Sequence, residues 1–389
     1  MAEPRVTVVG GGLGGMPVAN GLARLGICQV TLVDLLGQHV YQPGFLYVPF
    51  GRVKPASLVR DLPAVLHPRV QLVVGEVEEV DAGARAVHLT DGRVISSDWL
   101  VLAPGAAYDP GLVPGFAGNV HHFYSLEAAL DLMAGLQRFR GGDVVVGITT
   151  LPYKCPPAPL EFILLLDDFL RKRGLHGRYR LTYVTPLPQL TGMKSLCEAY
   201  QPIFNRRGIA LATHFTVEEI DPGRRRLISQ EGGEIPYDLA ILVPPHRGTR
   251  MVRRSGLGDR QGWIPTDRET LRVVGHEHVY ALGDATDLPV PKHGAGAHMQ
   301  AEVVARNLAA EIGGREPRWE YSGRVFCISD TGAGKGSLVH YSYDRPPAPP
   351  TPLPVFRWAR LATGALYWRL APRGLLPVHG YRRRRATAR

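Results

Sequence analysis

The sequence predicts an α/β protein with two domains of similar architecture and a C-terminal amphipathic segment. At 389 residues the chain exceeds what one hydrophobic core usually organises, and roughly 100–200 residues per domain favours two domains and an appendage. Apolar runs such as VTVV and VVV lead into glycine turns and helical patterns, the order expected of βαβ units. Four widely spaced cysteines form no zinc-type pattern, so we expect no metal site.

The first unit reads as a strand, a glycine turn, a helix and a second strand. Gly10, Gly12 and Gly15 form a G-x-G-x-x-G pattern. In such a pattern the first glycine permits the turn, the second lets the backbone approach a pyrophosphate, and the third allows helix and strand to pack closely. The second strand, QVTLVD, ends at Asp34, whose carboxylate is placed to accept hydrogen bonds from a ribose. These residues predict a Rossmann-like dinucleotide-binding domain, although they do not separate FAD from NAD.

Two further segments resemble motifs of the flavoproteins that carry two dinucleotide-binding domains, the glutathione reductase-like fold. HVYALGDATDL contains Gly283 and Asp284, and in those proteins this aspartate bonds the ribityl chain of FAD. SSDWLVLAPGA ends at Ala106 and resembles their return strand before the second domain, with Pro104 where threonine is usual. The resemblance implies FAD, rather than NAD, as the tightly held cofactor.

The second domain has a strand where another nucleotide site is expected, but it lacks the glycines. Residues 144–148 form a buried β-branched run after a helical pattern. Of the positions that should hold glycine after Gly147, one has Thr149, with a Cβ in the way of a phosphate, and one has Pro152, with no N–H to donate. We expect that NADH does not bind here in the usual way; a degenerate but working NADH site is the alternative.

Cys155 stands where those glycines are missing. The prolines after it favour a helix start, and a helix N-terminus beside Lys154 would lower the pKa of the thiol. A solitary cysteine is also often an inert, buried residue. Position alone leaves these two interpretations equally supported.

Four segments together resemble the sulfide:quinone oxidoreductases, in order and over essentially the whole chain. They are YKCPPAPLEF, DLAILVPPHRG, LPVPKHGAGAHMQAEVVARNLAAEI and RVFCISDTGAGKG. The flavoprotein subunit of flavocytochrome c sulfide dehydrogenase is similar. The family has a redox-active cysteine pair beside the flavin, which implies that Cys155 and Cys327 form the pair here, with Cys155 favoured as the flavin-proximal member. Residues 39–47 contain no cysteine of the kind to which the flavocytochrome c type attaches its flavin, so the FAD should be non-covalent.

The resemblance also implies roles for two charged residues. Glu161 resembles a family glutamate proposed to handle protons; a solvated glutamate in the first helical turn is the alternative. Lys292 would lie near the flavin and stabilise negative charge on the reduced ring; a surface lysine is the alternative. In the implied reaction hydrosulfide attacks the disulfide, leaving a persulfide on Cys327 and a thiolate on Cys155, and two electrons pass to FAD.

The C-terminal segment predicts attachment to a membrane surface. The formal charge is +10, and every charged residue after Asp344 is an arginine, ending in YRRRRATAR. On a helical wheel, residues 355–371 place tryptophan and leucine on one face and Arg357 and Arg360 on the other, which suits a helix in the membrane interface that could also open a quinone entrance. Anionic lipids would attract the terminal arginines. A helix that caps the core with a solvated basic tail is the alternative, and no nucleic-acid-binding module is recognisable.

The predicted domains are a FAD-binding domain from residues 1–108 and 236–314, a second Rossmann-like domain with a degenerate NAD site at 109–235, and a redox-cysteine and membrane-association region at 315–389. The first strand begins too early for a secretory segment, and no apolar run reaches the ~18–20 residues that span a bilayer. We therefore expect a peripheral enzyme on the cytoplasmic side of the cell membrane.

The predicted function is oxidation of sulfide, or of another small thiol or polysulfide, with electrons passed to membrane quinone. A type II NADH:quinone oxidoreductase and a flavin-binding thiol redox sensor are the alternatives. A soluble flavocytochrome c type subunit is a closer relative that the basic tail disfavours. Whether the protein forms a homo-oligomer stays open.

Overall fold

The computed structural model describes residues 3–373 and 381–383. The first part of the chain is a βαβ unit followed by short strands, with a 3₁₀ segment at Gln42–Phe50. Its elements are β1 (Arg5–Val9), α1 (Gly15–Leu25), β2 (Gln29–Asp34), β3 (Gln38–Val40), β4 (Val59–Asp61), β5 (Val70–Val74), β6 (Val77–Asp81), β7 (Ala86–Leu89), β8 (Val94–Ser96), β9 (Trp99–Leu102) and β10 (Ala106–Tyr108).

The middle of the chain alternates strands and helices and then forms a small meander. Its elements are α2 (Leu126–Arg138), β11 (Gly142–Ile148), α3 (Pro157–Lys172), β12 (Tyr179–Val184), α4 (Lys194–Arg207), β13 (Ala210–Ala212), β14 (Val217–Asp221), β15 (Arg226–Ser229), β16 (Glu234–Pro236), β17 (Leu239–Val243) and β18 (His246–Gly248).

The last part of the chain adds one strand to the first sheet, a long helix, a hairpin and the C-terminal helix. Its elements are α5 (Arg250–Arg254), β19 (Val279–Ala281), α6 (Gly294–Ile312), β20 (Trp319–Tyr321), β21 (Val325–Gly332), β22 (Lys335–Tyr341), α7 (Pro354–Leu370) and β23 (Tyr381–Arg383).

Two parallel sheets form the body of the protein, which confirms the predicted α/β fold. The first has the order β19-β9-β1-β2-β5, so strands from distant parts of the chain lie side by side. Its inner strands β1 and β9, and β19 beside them, are mostly buried apolar runs, as expected where helices cover a parallel sheet. Helices α1 and α6 pack against each other beside the sheet. The second sheet has the order β13-β12-β11-β17.

The predicted domain boundary at residue 236 is wrong for one strand. Strand β17 was expected in the first domain, but it pairs in parallel with β11, Val144 opposite Leu239, and belongs to the second sheet. All five of its residues are buried, so its apolar run needs neighbours on both sides. The chain crosses between the two sheets at the antiparallel pair β10 and β18, where Ala106 lies opposite Gly248.

Helix α7 forms within one residue of the predicted span. Its outward face carries Val355, Trp358, Leu361 and Leu366, of which Trp358 is 70% exposed. Its other face packs on the β21–β22 hairpin. Among the described residues, no helix is long and apolar enough to cross a membrane.

The C-terminal end of α7 contacts the first domain through hydrogen bonds. Tyr367 and the buried His39 form a hydrogen bond of 2.6 Å, and His39 also contacts the carbonyl of Gly11 at 2.7 Å. Among the arginines near the C-terminus, Arg382 forms salt bridges with carboxylates, including that of Glu269 at 2.9 Å. The predicted lipid contact of the arginines after residue 383 lies outside the described residues.

Candidate active site

The glycine loop after β1 opens one side of a cavity, and its glycines are required for different reasons. Gly10 has φ of +97°, and a Cβ there would lie 2.3 Å from the carbonyl oxygen of Ala103. At Gly15 a Cβ would lie 1.9 Å from the carbonyl oxygen of Gly10, so helix and strand touch as predicted. At Gly12 a Cβ would meet nothing within 4 Å, because this residue faces the open cavity.

Asp34, at the end of β2, lies at the rim of the same cavity. One carboxylate oxygen accepts the N–H of Gly11 at 2.8 Å, and the other accepts those of Leu36 at 3.0 Å and Gly37 at 2.8 Å. These bonds fix the side chain and leave a lone pair on the oxygen that accepts the Gly11 N–H. The predicted ribose acceptor is therefore held in place at the cavity.

Asp284 lines the cavity from the opposite side. Its backbone position is set by Gly283, which has φ of +75° and donates its N–H to Gln300 Oε1 at 2.6 Å. Asp284 Oδ1 is buried without a hydrogen-bond partner among the described residues, as is His293 Nε2 on the same wall. Burial raises the pKa of Asp284, and Lys154 and Lys292 oppose that effect. A buried acceptor without a partner is costly unless a ligand supplies a donor.

The segment SSDWLVLAPGA reaches the cavity with the residues before its last one, and Ala106 itself does not line the cavity. Ala103, Pro104 and Gly105 line it, whereas Ala106 begins β10 and pairs with Gly248. Ala106, which was predicted to contact the cofactor, therefore does not line the cavity, because the chain turns into the interdomain strand there.

The connection from β11 to α3 has Thr149 and Pro152 in place of a glycine loop. Thr149 is buried and donates its hydroxyl to the carbonyl of Val243 at 2.8 Å. Gly147 is required for close strand pairing in the second sheet, since a Cβ there would lie 2.1 Å from the carbonyl oxygen of Val184. The connection continues to Cys155, which has φ of +54°, an unfavourable conformation for a residue with a side chain. It is held there by its N–H, which donates to the carbonyl of Lys292 at 2.7 Å.

Cys155 and Cys327 come together at the cavity. Cys155 is a lining residue, Cys327 lies on β21, and the two half-buried thiols are close enough that each has the largest influence on the pKa of the other. The neighbouring sulfur and burial raise the pKa of Cys155. The neighbouring thiol of Cys155 lowers the pKa of Cys327 against the effect of burial, and the cation of Arg360 lowers it further. The pair therefore favours one negative charge shared by the two sulfurs, on the Cys327 side.

This charge distribution corrects one expectation. The pKa of Cys155 was expected to be lowered by the helix N-terminus and Lys154. Helix α3 does begin two residues later, at Pro157, but the neighbouring sulfur and burial raise the pKa of Cys155.

Glu161 is buried beside the thiols, on α3, which excludes the solvated alternative. It is 3% exposed, and its Oε1 accepts the hydroxyl of Tyr47 at 2.9 Å and the N–H of Asp330 at 2.8 Å. Burial raises its pKa, and Arg360 opposes that effect. A carboxyl of this kind exchanges its proton nearer to neutral pH than an exposed one.

Lys292 lies outside the cavity. Its ammonium donates to the carbonyls of Asp284 at 3.0 Å and Thr286 at 2.6 Å and sits 3.7 Å from the centre of the Trp263 ring. Burial lowers its pKa to about 8. It lines a second cleft, next to Trp263 and Asp287. The backbone of Lys292 therefore contacts Cys155, whereas its side chain does not join Cys155 and Glu161 among the residues that line the cavity.

Two cationic side chains that were not predicted as site residues do line the cavity: Lys154 and Arg360. Lys154 donates to Gln42 Oε1 at 3.1 Å and sits 4.7 Å from the centre of the Tyr108 ring. Burial opposes its charge, but Tyr108 and Asp284 raise its pKa overall. Its place beside Cys155 in the sequence was a usable signal, whereas Arg360 reaches the cavity only through the packing of α7.

The cavity residues fit a dinucleotide with a flavin. The open Gly12 and the free N–H groups at the start of α1 suit a pyrophosphate, Asp34 suits a ribose, and the unpartnered Asp284 oxygen suits a hydroxyl donor. Cys155 of the thiol pair lines the same cavity as the glycine loop.

Comparisons with known proteins agree with this site. Residues 4–148 match the family model described as pyridine nucleotide-disulphide oxidoreductase. The mouse mitochondrial sulfide:quinone oxidoreductase is 27% identical over 354 residues, which cover 88% of this chain and 79% of that protein. An Arabidopsis thaliana alternative NAD(P)H-ubiquinone oxidoreductase is 27% identical over 367 residues, covering 80% and 68%. The solved sulfide:quinone oxidoreductase of Aquifex aeolicus superposes with a TM-score of 0.89 at 22% identity, covering 98% of this chain and 97% of that one.

The fold and the cavity thus define a flavoprotein oxidoreductase with the pyridine nucleotide-disulphide oxidoreductase architecture. Within that class the chain is similar to the sulfide:quinone oxidoreductases over most of its length, so the resemblance predicted from its motifs is confirmed.

Proposed function

We propose that this protein oxidises sulfide to sulfane sulfur and passes the electrons to quinone, with FAD bound non-covalently. The observation that carries the proposal is the pair of neighbouring thiols, Cys155 and Cys327, of which Cys155 lines the dinucleotide cavity. The similarity to sulfide:quinone oxidoreductases supports the substrate and the acceptor.

The reaction starts from the disulfide of the two cysteines. Hydrosulfide attacks one sulfur, a new S–S bond forms, and the Cys155–Cys327 bond breaks. One cysteine then carries a persulfide and the other a thiolate, so atoms and charge balance without a further reactant. The exposure of Cys155 to the cavity supports Cys155 as the thiolate and Cys327 as the carrier of the added sulfur.

Glu161 is proposed to take up the proton that the sulfur species release. Its raised pKa and its position beside the pair support this role. The hydroxyl of Tyr47 keeps the carboxyl oriented.

The residues proposed to hold FAD are Gly10, Gly12 and Gly15 in the loop, Asp34 at the rim, and Gly283 and Asp284 on the opposite wall. When bound, FAD supplies a two-electron acceptor that passes the electrons on to quinone. The chain's own contribution is to exclude water from this end of the cavity, which Phe45, Leu46 and Phe123 line.

Helix α7 is proposed to lie on the cytoplasmic surface of a membrane, where the quinone is dissolved. Its outward row of Val355, Trp358, Leu361 and Leu366 supports a helix that rests in the interface. The opposite face carries Arg360 into the cavity, so the helix adjoins both the site and the proposed membrane.

NADH oxidation is the second candidate, because an NAD(P)H-ubiquinone oxidoreductase is also similar to this chain. Two residues after β11 oppose NADH binding. Thr149 is buried and hydrogen-bonded to Val243, and Pro152 has no N–H to donate to a phosphate. Anaerobic titration of the FAD-loaded protein with sulfide, and separately with NADH, distinguishes the two. We expect sulfide to bleach the flavin absorbance, NADH to leave it unchanged, and Cys155→Ser to abolish the sulfide response. Bleaching by NADH alone would refute the proposal, and failure to turn over with excess quinone would favour a redox sensor.

A further inference from the structure

Arg360 is a cation lining the cavity, and no carboxylate among the described residues forms a salt bridge with it. Its guanidinium donates to the hydroxyl of Tyr41 at 3.4 Å and the carbonyl of Pro43 at 3.2 Å, both neutral oxygens. Its Nε is buried without a partner among the described residues. A buried charge held only by neutral groups is costly, so its presence indicates an anion at this end of the cavity in the working protein.

The groups that could carry that negative charge lie on the same wall. Cys155 and Glu161 line the cavity together with Arg360, and the centre of the Tyr47 ring, whose hydroxyl binds Glu161, is 5.5 Å from the guanidinium carbon. Glu161 already accepts two hydrogen bonds through one oxygen, and burial favours its neutral form. The sulfur pair is the remaining partner for the cation.

We propose that Arg360 is a positioning residue that holds negative charge on the Cys155–Cys327 pair, and that α7 delivers it to the cavity from the helix face opposite the exposed apolar row. This inference rests on the proposed role of the pair and extends it. The same helix that would lie on the membrane then supplies the cation that keeps the thiols reactive.

Other titratable groups also face the two thiols from neighbouring elements. They are Lys154, Glu161, Tyr124, Tyr153, Tyr200 and Tyr341. All of them stay in place when only Arg360 is replaced, so a difference between variants reports the arginine.

The test measures how the rate of thiol alkylation depends on pH in the reduced, FAD-loaded protein, with iodoacetamide as the probe. Peptide mass spectrometry separates Cys155 and Cys327 from Cys28, whose buried thiol serves as an internal reference for intact folding. The measurement uses neither sulfide nor quinone, so its result is independent of the proposed substrates.

Arg360→Gln is expected to move the alkylation midpoint of the pair upward by about one pH unit and to slow alkylation at pH 7 roughly tenfold, because removal of a nearby cation disfavours the thiolate. Arg360→Lys should stay close to the wild type, since it keeps the charge. Arg369→Gln is the matched control, because it removes one exposed cation from the same helix. It should leave the profile unchanged.

Superposable profiles for wild type and Arg360→Gln would overturn the proposal. Equal shifts in Arg360→Gln and Arg369→Gln would also overturn it, because they would show an effect of net charge alone. If Arg360→Gln does not fold, Arg360→Met removes the charge while keeping an apolar stem, and the same comparison decides.

Discussion

At the scale of single residues, two glycines of the loop after β1 are expected to have different roles, Gly12 in cofactor binding and Gly15 in folding. Gly12→Ala should leave the stability of the FAD-free protein within about 0.5 kcal/mol of the wild type, since its Cβ meets nothing within 4 Å, but should weaken FAD binding by closing the backbone approach. Gly15→Ala should destabilise the protein by ~2 kcal/mol or more, because the new atom would overlap the Gly10 carbonyl. Urea unfolding and FAD titration measure the two effects. Equal loss of stability in both variants would contradict this division.

Glu161 offers a second test at the residue scale. Glu161→Gln keeps an acceptor for Tyr47 and for the Asp330 N–H but cannot take up a proton, so flavin reduction by sulfide should slow at least 100-fold, as expected for loss of a general base. Stopped-flow absorbance measures this rate. Reduction at the wild-type rate would remove Glu161 from the proton path.

The same variant tests the raised pKa of Glu161 through stability. The pKa of Glu161 in the folded state lies above 4.5, its ordinary value in the unfolded chain. The contribution of the protonated carboxyl to the free energy of unfolding is therefore fully present below pH 4.5. It is lost as the pH rises through the folded-state pKa. Wild type should therefore lose stability relative to Glu161→Gln between pH 4.5 and the raised pKa. Urea unfolding at several pH values measures the difference. A constant difference across this range would contradict the shift.

At the scale of elements, the outward face of α7 can be changed without touching the site. Replacing Trp358 and Leu361 by serine removes two exposed side chains, so folding and flavin reduction by sulfide should persist while binding to anionic lipid vesicles falls several-fold. Vesicle sedimentation measures the binding. Val274→Ser, at a side chain 62% exposed outside α7, is the matched control. Unchanged binding in the double variant would refute the proposed membrane face.

Elements also show where sequence reasoning succeeds and where it stops. The loop of Gly10 to Gly15 and the carboxylate of Asp34 are local patterns, so the sequence predicts both the fold and that half of the site. The pairing of Cys155 with Cys327 depended on family resemblance, because 172 residues separate them along the chain. The β17 boundary and the inward turn of Arg360 depend on long-range strand pairing and helix packing, which no local pattern records.

At the scale of the whole molecule, the cavity is assembled from distant segments. The glycine loop after β1, the turn after β9, the Gly283-Asp284 turn, the start of α3 and one side chain of α7 all line it. A ligand that contacts all of them binds only the folded chain, so it stabilises the protein by linkage. Asp284 Oδ1 has no hydrogen-bond partner among the described residues, so a ligand with a hydroxyl donor would supply one.

Asp284→Ala tests this linkage. In the FAD-free protein the substitution removes a buried acceptor without a partner, so it should leave stability unchanged or raise it by about 1 kcal/mol. In the wild type, saturation with FAD to 100 times its Kd should add about 2.7 kcal/mol, and at the same FAD concentration the variant should gain much less. Thermal unfolding with and without added FAD measures both. An equal gain in the two proteins would show that Asp284 does not bind the cofactor, whereas a marked loss of stability without FAD would show that its role is structural. The expected result is that Asp284 is unfavourable or neutral for the stability of the FAD-free protein and favourable for the binding of FAD.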